Sequence, residues 1–184
     1  MRRSEMLVNT RAGFLTLFLS HLLAFASKCT KIKDNRMSPP FHVRKIRRVD
    51  LDRIQQIEDA SFGPDAYDRN LFAEFYHKCG DLFLVAERPS GICGYAITCI
   101  RGDRAEIVSI AVDPPARVTG AASALMDSTL RRIRRRKVTR LVLMVKMTNA
   151  PARGFYEKYG FNKLRTVRRY YEDGSDGVLM ARAV

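Results

Sequence analysis

Between Ala105 and Leu125 the chain reads AEIVSIAVDPPARVTGAASAL, an apolar strand that breaks at Pro114 and Pro115 and re-enters a helix through Arg-x-x-Gly-x-Ala. A strand, a loop and a helix start in this order build an anion cradle. The first N–H groups of the helix have no partner within it and face outward at the positive end of the helix dipole. The small residues Gly120, Ala121 and Ala122 let a bulky phosphate approach that main chain. Close packing at a helix start is the ordinary alternative for Gly-Ala-Ala. A P-loop would place Lys and then Ser or Thr directly after its last glycine, and a dinucleotide fingerprint needs G-x-G-x-x-G. Neither is present, which argues against nucleotide hydrolysis and hydride transfer.

A second block lies some thirty residues on, where Asn149 to Phe161 reads NAPARGFYEKYGF, preceded by LVLMV and followed by RRYYEDGSDGVLMA. Together, in this order and separation, the blocks resemble the GNAT superfamily of acetyl-CoA-dependent N-acetyltransferases. The family's signatures are Arg/Gln-x-x-Gly-x-Gly/Ala, here Arg117 to Ala122, and Asn-x-x-Ala-x-x-x-Tyr-x-x-x-Gly-Phe, here Asn149 to Phe161. The resemblance covers about Val43 to Ala183. It implies an α+β (mixed α/β) fold with a single mixed, mostly antiparallel sheet flanked by helices. The central and fifth strands would splay apart to admit the pantetheine arm of acetyl-CoA, and no metal is implied. Arg117 and the N–H groups of Val118, Thr119, Gly120, Ala121, Ala122 and Ser123 would then hold the pyrophosphate. Val118 stands where relatives frequently carry glycine. Asn149 would contact the pantetheine amides, or equally cap a helix. A main-chain N–H among Ile110, Ala111 and Val112 would polarise the thioester carbonyl. Tyr156 corresponds to the family tyrosine that protonates the leaving thiolate, against the alternative of packing a helix face with Phe155 and Tyr159.

Acetyl transfer to nitrogen needs a neutral amine. Glu106, at the start of the central strand, matches the general-base glutamate of the GNAT histone acetyltransferases, and a surface carboxylate at a strand edge is the competing reading. RimI-like bacterial enzymes carry a glutamate on the fifth strand, and here that position is Met144. A protein α-amine, with pKa about 7.7 to 8.0, is roughly a fifth neutral at physiological pH, whereas a lysine near 10.4 is about one part in a thousand neutral. A weak or water-relayed base therefore suffices for a protein N-terminus. Phe62, Asp65 and Tyr67, in the Phe-Gly-Pro-Asp-Ala-Tyr loop, lie where N-terminal acetyltransferases bind substrate. Asp65 would hold the ammonium or act as base, or would simply complete a turn after proline. Tyr170 and Tyr171, before an Asp-rich turn, resemble the tyrosine pair lining the peptide groove.

A chain of 184 residues, 46% hydrophobic, makes one compact domain, and its formal charge of +14 favours acidic partners. The basic run Arg131 to Lys137, RRIRRRK, is either a solvated helix end or a ribosome or RNA contact. Cys29, Cys79, Cys93 and Cys99 form no C-x-x-C pair, so reduced, mostly buried thiols are expected, with neither a disulfide framework nor a zinc site. Residues 1–36 read as an extension: Arg2, Arg3 and Arg11 precede an apolar run ending Ala24-Phe25-Ala26, shaped like a signal peptide or left by a wrongly assigned start. The run is too short to span a bilayer comfortably, and export would part the chain from acetyl-CoA. Residues 37–184 form the expected working domain, with Met37 as its start and a cytoplasmic location.

Hydrophobic periodicity places a strand at Val43 to Val49 and a helix capped by Asp50 with Leu51, Ile54 and Ile57 on one face. Asp68 caps a second helix, and Leu82–Glu87 with Ile92–Arg101 form a hairpin. The central strand is Ala105–Val112, the helix after it Gly120 to about Arg136, and a fifth strand Arg140–Lys146. Ala150–Tyr159 is a helix ended by Gly160, and Lys163–Tyr171 and Val178–Arg182 close the sheet. The expected activity is acetyl transfer from acetyl-CoA to a protein N-terminal α-amine, a ribosomal protein being one candidate acceptor, by direct attack in a ternary complex. Acetylation of lysines or small amines is the nearest alternative, and a basic ribosome- or RNA-binding module without turnover is the second.

Overall fold

A computed structural model describes residues 41–184; the expected extension 1–36, Cys29 and Met37 lie outside the described residues. The strands are β1 His42–Lys45, β2 Phe83–Arg88, β3 Gly91–Arg101, β4 Arg104–Val112, β5 Arg140–Lys146, β6 Asn162–Val167 and β7 Gly177–Ala183. They form one sheet in the order β1-β2-β3-β4-β5-β7-β6. Its β4–β5 pair is parallel and the others antiparallel. Four helices flank it: α1 Leu51–Phe62, α2 Arg69–Lys78, α3 Ala121–Ile133 and α4 Ala150–Lys158. This is the single mixed sheet expected. No helix among the described residues is long and apolar enough to cross a membrane.

Both faces of the sheet are covered, so its central strands are apolar on both sides. On one face Ile54 and Ile57 of α1 and Phe72 of α2 bury against Phe83, Val85, Tyr95 and Ile97. On the other, Met126, Leu130 and Ile133 of α3 and Tyr156 of α4 bury against Ile107, Leu141, Leu143 and Val145. The alternation along β4 slips once. Ala105 and Ile107 face α3, and so do Ile110, three residues on rather than two, and Val112, because β3 pairs Ile97 with Ser109 but Thr98 with Ile107. Val108 is thus the extra residue of a β-bulge, which bends the strand at its centre.

The bend separates β4 from β5. Their register runs only from Arg104↔Arg140 to Ile107↔Leu143; beyond it β4 continues along β3 and β5 along β7. The wedge between Val108–Val112 and Met144–Lys146 is the splay expected from the resemblance.

Four expectations are corrected. The first strand ends at Lys45, not Val49, and the chain turns through a 3-10 turn, Arg48–Asp50. Asp50 does not cap α1 with its side chain: its carboxylate accepts the Arg47 N–H at 2.6 Å and pairs with Arg44 at 2.6 Å. The strand expected to reach Tyr171 ends at Val167, since Arg169 takes a left-handed backbone with its N–H donated to Asp176. Cys79 and Cys99 are disulfide-bonded rather than reduced. Cys79 caps the end of α2 directly over β3, with a Cα separation of 4.6 Å, a proximity made by the fold and invisible in a spacing of 20 residues. Cys93 is the buried free thiol expected. Asp68 does cap α2, accepting the Leu71 N–H at 2.8 Å.

Candidate active site

The loop and helix start expected to hold a phosphate form where the sequence placed them. Gly120 takes φ +97°, a conformation open to glycine, and α3 begins at Ala121. The Ala124 N–H is the first to close a helical turn, onto the Gly120 carbonyl at 2.9 Å, so the N–H groups of Ala121, Ala122 and Ser123 stand outside the ladder. Thr119 donates to the Ala116 carbonyl at 2.5 Å and accepts from Arg88, which fixes the loop. Val118 is also left-handed, at φ +63°, and its side chain is fully exposed. Arg117 folds back on the strand end, donating to the Val112 carbonyl at 3.2 Å and to Ser61 Oγ at 3.4 Å.

Asn149 follows β5 and opens α4. Its Oδ1 accepts the Ala152 N–H at 3.1 Å, capping α4, while its Nδ2 is buried with no hydrogen-bond partner. The cap expected of Asn149 is formed, and the other end of the amide is a desolvated donor. One turn further, on the same helix face, Arg153 Nε is likewise buried without a partner. Sequence reasoning passed over Arg153; its spacing of four from Asn149 was the available signal. Two orphaned donors, three free N–H groups and a wedge between strands suit a long, amide-bearing polyphosphate such as coenzyme A. Tyr156, 1% exposed, continues the Asn149 face into the core, against Phe155 and Phe161. Ile110 and Val112 pack toward α3 and Ala111 toward α1.

On the opposite face of the sheet lies a groove. Met144 and Tyr171 are buried together with Val167, Tyr170 and Leu179 around them. Gly177 makes this approach possible, because a Cβ there would stand 2.8 Å from Met144 Sδ and 3.1 Å from Tyr170 Cβ. Lys146, two residues beyond Met144 and so on the same face, reaches across. Its Nζ lies 2.5 Å from Asp173, 3.7 Å from Asp65 and 5.3 Å from the centre of the Tyr171 ring. The hydrogen bond from Lys146 holds the Asp173 carboxyl well below the usual range, with Ser175 assisting. Asp65 and the Tyr170–Tyr171 pair, a hundred residues apart in sequence, thus form the two walls of one groove. Lys146 and Asp173 join them and were not anticipated. Phe62 and Tyr67 turn inward and support the loop from below; the Tyr67 N–H donates to Glu58 at 3.0 Å. Glu58 in turn accepts from Tyr95, whose hydroxyl lies 3.0 Å from Ser109 at the bulge. This fully buried chain ties the acceptor-side loop to the central strand.

Glu106 is not a surface carboxylate. It is 8% exposed, on the groove side of β4, and pairs across the sheet with Cys99 and Val142. Burial raises its pKa above the ordinary 4.5, against the pull of Arg104 and Arg101. It lies one row, two residues or about 7 Å of strand, below the level of Met144.

With this geometry in place, comparison with known proteins identifies the class: the chain belongs to the acetyltransferase (GNAT) family, which it matches over residues 50–161. It is 28% identical over 162 residues to an N-alpha-acetyltransferase of Sulfolobus acidocaldarius, covering 81% of this chain and 96% of that protein. It is 30% identical over 139 residues to a putative [ribosomal protein bS18]-alanine N-acetyltransferase of Bacillus subtilis, covering 75% and 92%. The structure of Ard1 from Thermoplasma volcanium superposes with a TM-score of 0.76 at 27% identity, over 79% of this chain and 99% of that one.

Proposed function

We propose that this enzyme transfers the acetyl group of acetyl-CoA to the α-amine of a protein N-terminus, by direct attack within a ternary complex in the cytoplasm, where acetyl-CoA is held. The observation that carries the reading is Met144. The fifth strand offers the groove a thioether where a carboxylate would sit; Asp65 and Asp173 are engaged by Lys146, and Glu106 stands a row away. Over about 7 Å it acts through water, because direct proton transfer requires contact at hydrogen-bond distance. Such a base serves an amine that is already partly neutral at physiological pH, an α-amine rather than a lysine. The relatives named for N-alpha-acetylation and for alanine acetylation of a ribosomal protein support the same substrate class.

Each group then has one task. The N–H groups from Val118 to Ser123, with Arg117, bind the pyrophosphate, and Asn149 Nδ2 donates to a pantetheine carbonyl. A main-chain N–H among Ile110, Ala111 and Val112, freed by the splay, polarises the acetyl carbonyl. Bound acetyl-CoA supplies an activated acyl group with a thiolate as leaving group. Asp65 and Asp173 draw the acceptor ammonium to the groove, Tyr170 and Tyr171 line the path of its chain, and Glu106 takes the proton through water. The Tyr156 phenol returns a proton to the departing sulfur as general acid.

Release of free thiol from acetyl-CoA tests the proposal, using peptides that differ in their first residue and matched peptides with blocked N-termini and an internal lysine. Turnover on free α-amines alone is expected. Turnover confined to lysines would refute the substrate class, and no turnover on any amine would refute the enzyme.

A further inference from the structure

The pole of the domain farthest from the cradle carries a concentration of arginine that neither acetyl transfer nor stability explains. Arg101 pairs with Arg104 across β3 and β4, and Arg104 pairs with Arg140 across β4 and β5. Cross-strand partners share a face, so the three guanidinium groups form a row about 10 Å long at the ordinary strand spacing. The parallel β4–β5 connection returns α3 to this same end, and the Thr139 N–H closes onto the Asp103 carbonyl at 2.8 Å. Arg134, Arg135 and Lys137, all exposed, are thereby brought to the same end of the sheet on the α3 side, while the row lies on the side of Glu106. Asp81 engages Arg132 and Arg136. Among the described residues, Arg101, Arg104, Arg134, Arg135, Lys137 and Arg140 form no ion pair.

The helix dipole favours cations in the last turn of α3, but its reach ends there and it says nothing of arginines on three strands. Like charges directly opposite one another destabilise a sheet. The row is therefore a cost to the fold unless a polyanion covers it. Five of the six groups are arginine, whose planar fork fits phosphate oxygens in pairs. The exposed large hydrophobics, Val49, Val118 and Leu164, lie elsewhere, so nothing here inserts into a bilayer. The pole sits about 26 Å of strand from the cradle, the length of β4, and Arg104 stands two residues from Glu106 on the same face.

We propose that this pole binds the phosphodiester backbone of nucleic acid, without sequence preference, at a site separate from that of coenzyme A. Fluorescence anisotropy of the full chain with a labelled RNA duplex of about 20 base pairs tests it, with salt raised from roughly 50 to 200 mM. Five to six phosphate contacts give a slope of log K on log salt near −5. Arg134→Gln/Arg135→Gln/Lys137→Gln is expected to lower that slope by between two and three, and Arg101→Gln/Arg140→Gln by nearly two. Saturating coenzyme A leaves RNA affinity within about two-fold, because the sites are remote. No RNA binding by the unaltered chain, an unchanged slope in both variants, displacement of RNA by coenzyme A, or equal affinity for phosphatidylserine vesicles would each overturn the proposal. Binding is read without turnover, so its outcome is distinct from that of the acetylation assay.

Discussion

Replacing Asn149 separates its helix cap from the cofactor contact proposed for the same amide. The Ala152 N–H demands an acceptor, so Oδ1 faces the helix and Nδ2 is left buried without a partner. Serine keeps a capping oxygen and removes the donor; alanine removes both. Loss of a helix cap costs about 1 kcal/mol, or roughly 2–4 °C in a domain of this size. Loss of the donor leaves a cofactor carbonyl desolvated and unsatisfied, worth about 1–3 kcal/mol, hence about 5- to 150-fold in affinity for coenzyme A. Asn149→Ser and Asn149→Ala should therefore weaken coenzyme A to a similar extent in titration calorimetry, while only Asn149→Ala lowers the melting temperature. Coenzyme A bound by Asn149→Ser as tightly as by the unaltered chain would refute the orientation of Nδ2 toward the cofactor. Equal melting temperatures for the two variants would refute the cap.

Tyr156→Phe is expected to lower turnover by about ten- to ten-thousand-fold while coenzyme A affinity, measured by calorimetry, stays within two-fold; unchanged turnover would remove the phenol from the mechanism. Glu106→Gln should lower kcat/KM by a comparable factor and remove the acid limb that arises as pH falls through the raised pKa of Glu106, leaving the limb set by protonation of the acceptor amine. The stability sign is opposite: a raised carboxyl pKa gives stability present below 4.5 and lost as pH rises through the folded value, so Glu106→Gln should flatten that decline in denaturant titrations. Val118→Gly removes a β-branched residue from a left-handed backbone with no packing to lose, and should raise stability by about 0.5–1 kcal/mol in urea, net of the glycine's unfolded-state entropy. Reduction of Cys79–Cys99 opens a 20-residue closure worth about 3 kcal/mol of unfolded-chain entropy; the melting temperature should fall with reductant, and Cys79→Ser/Cys99→Ser should not respond to it.

The parts of the site legible in the sequence are those built from adjacent residues. The cradle at Gly120 and the Asn149–Tyr156 frame are local: a positive φ, a helix start and a helix face depend on neighbours within a few positions, and the chain spells them out. The elements follow for the same reason, apart from ends such as Val49 and Tyr171, where a single ion pair or a left-handed residue stops a strand that its apolar pattern would continue. What was not legible depends on register. Lys146 meets Asp65 and Asp173 only because β5, the α1–α2 connection and the β6–β7 loop converge, and no spacing along the chain encodes that meeting. Cys79 and Cys99, and the chain Glu58–Tyr95–Ser109, are similar cases.

Glu106 shows how far the same limit reaches into mechanism. From its place at a strand start it reads as exposed, whether as base or as surface carboxylate. The structure buries it: Glu106 pairs with Cys99, which packs against the cluster of α1 and α2, so the carboxyl is desolvated and its pKa rises. On the proposed mechanism, a buried Glu106 and the thioether of Met144 would leave proton removal to water, and the acceptor's own basicity would then be the limiting property. That ordering of groups, more than any one of them, is what would favour amines already partly neutral at physiological pH.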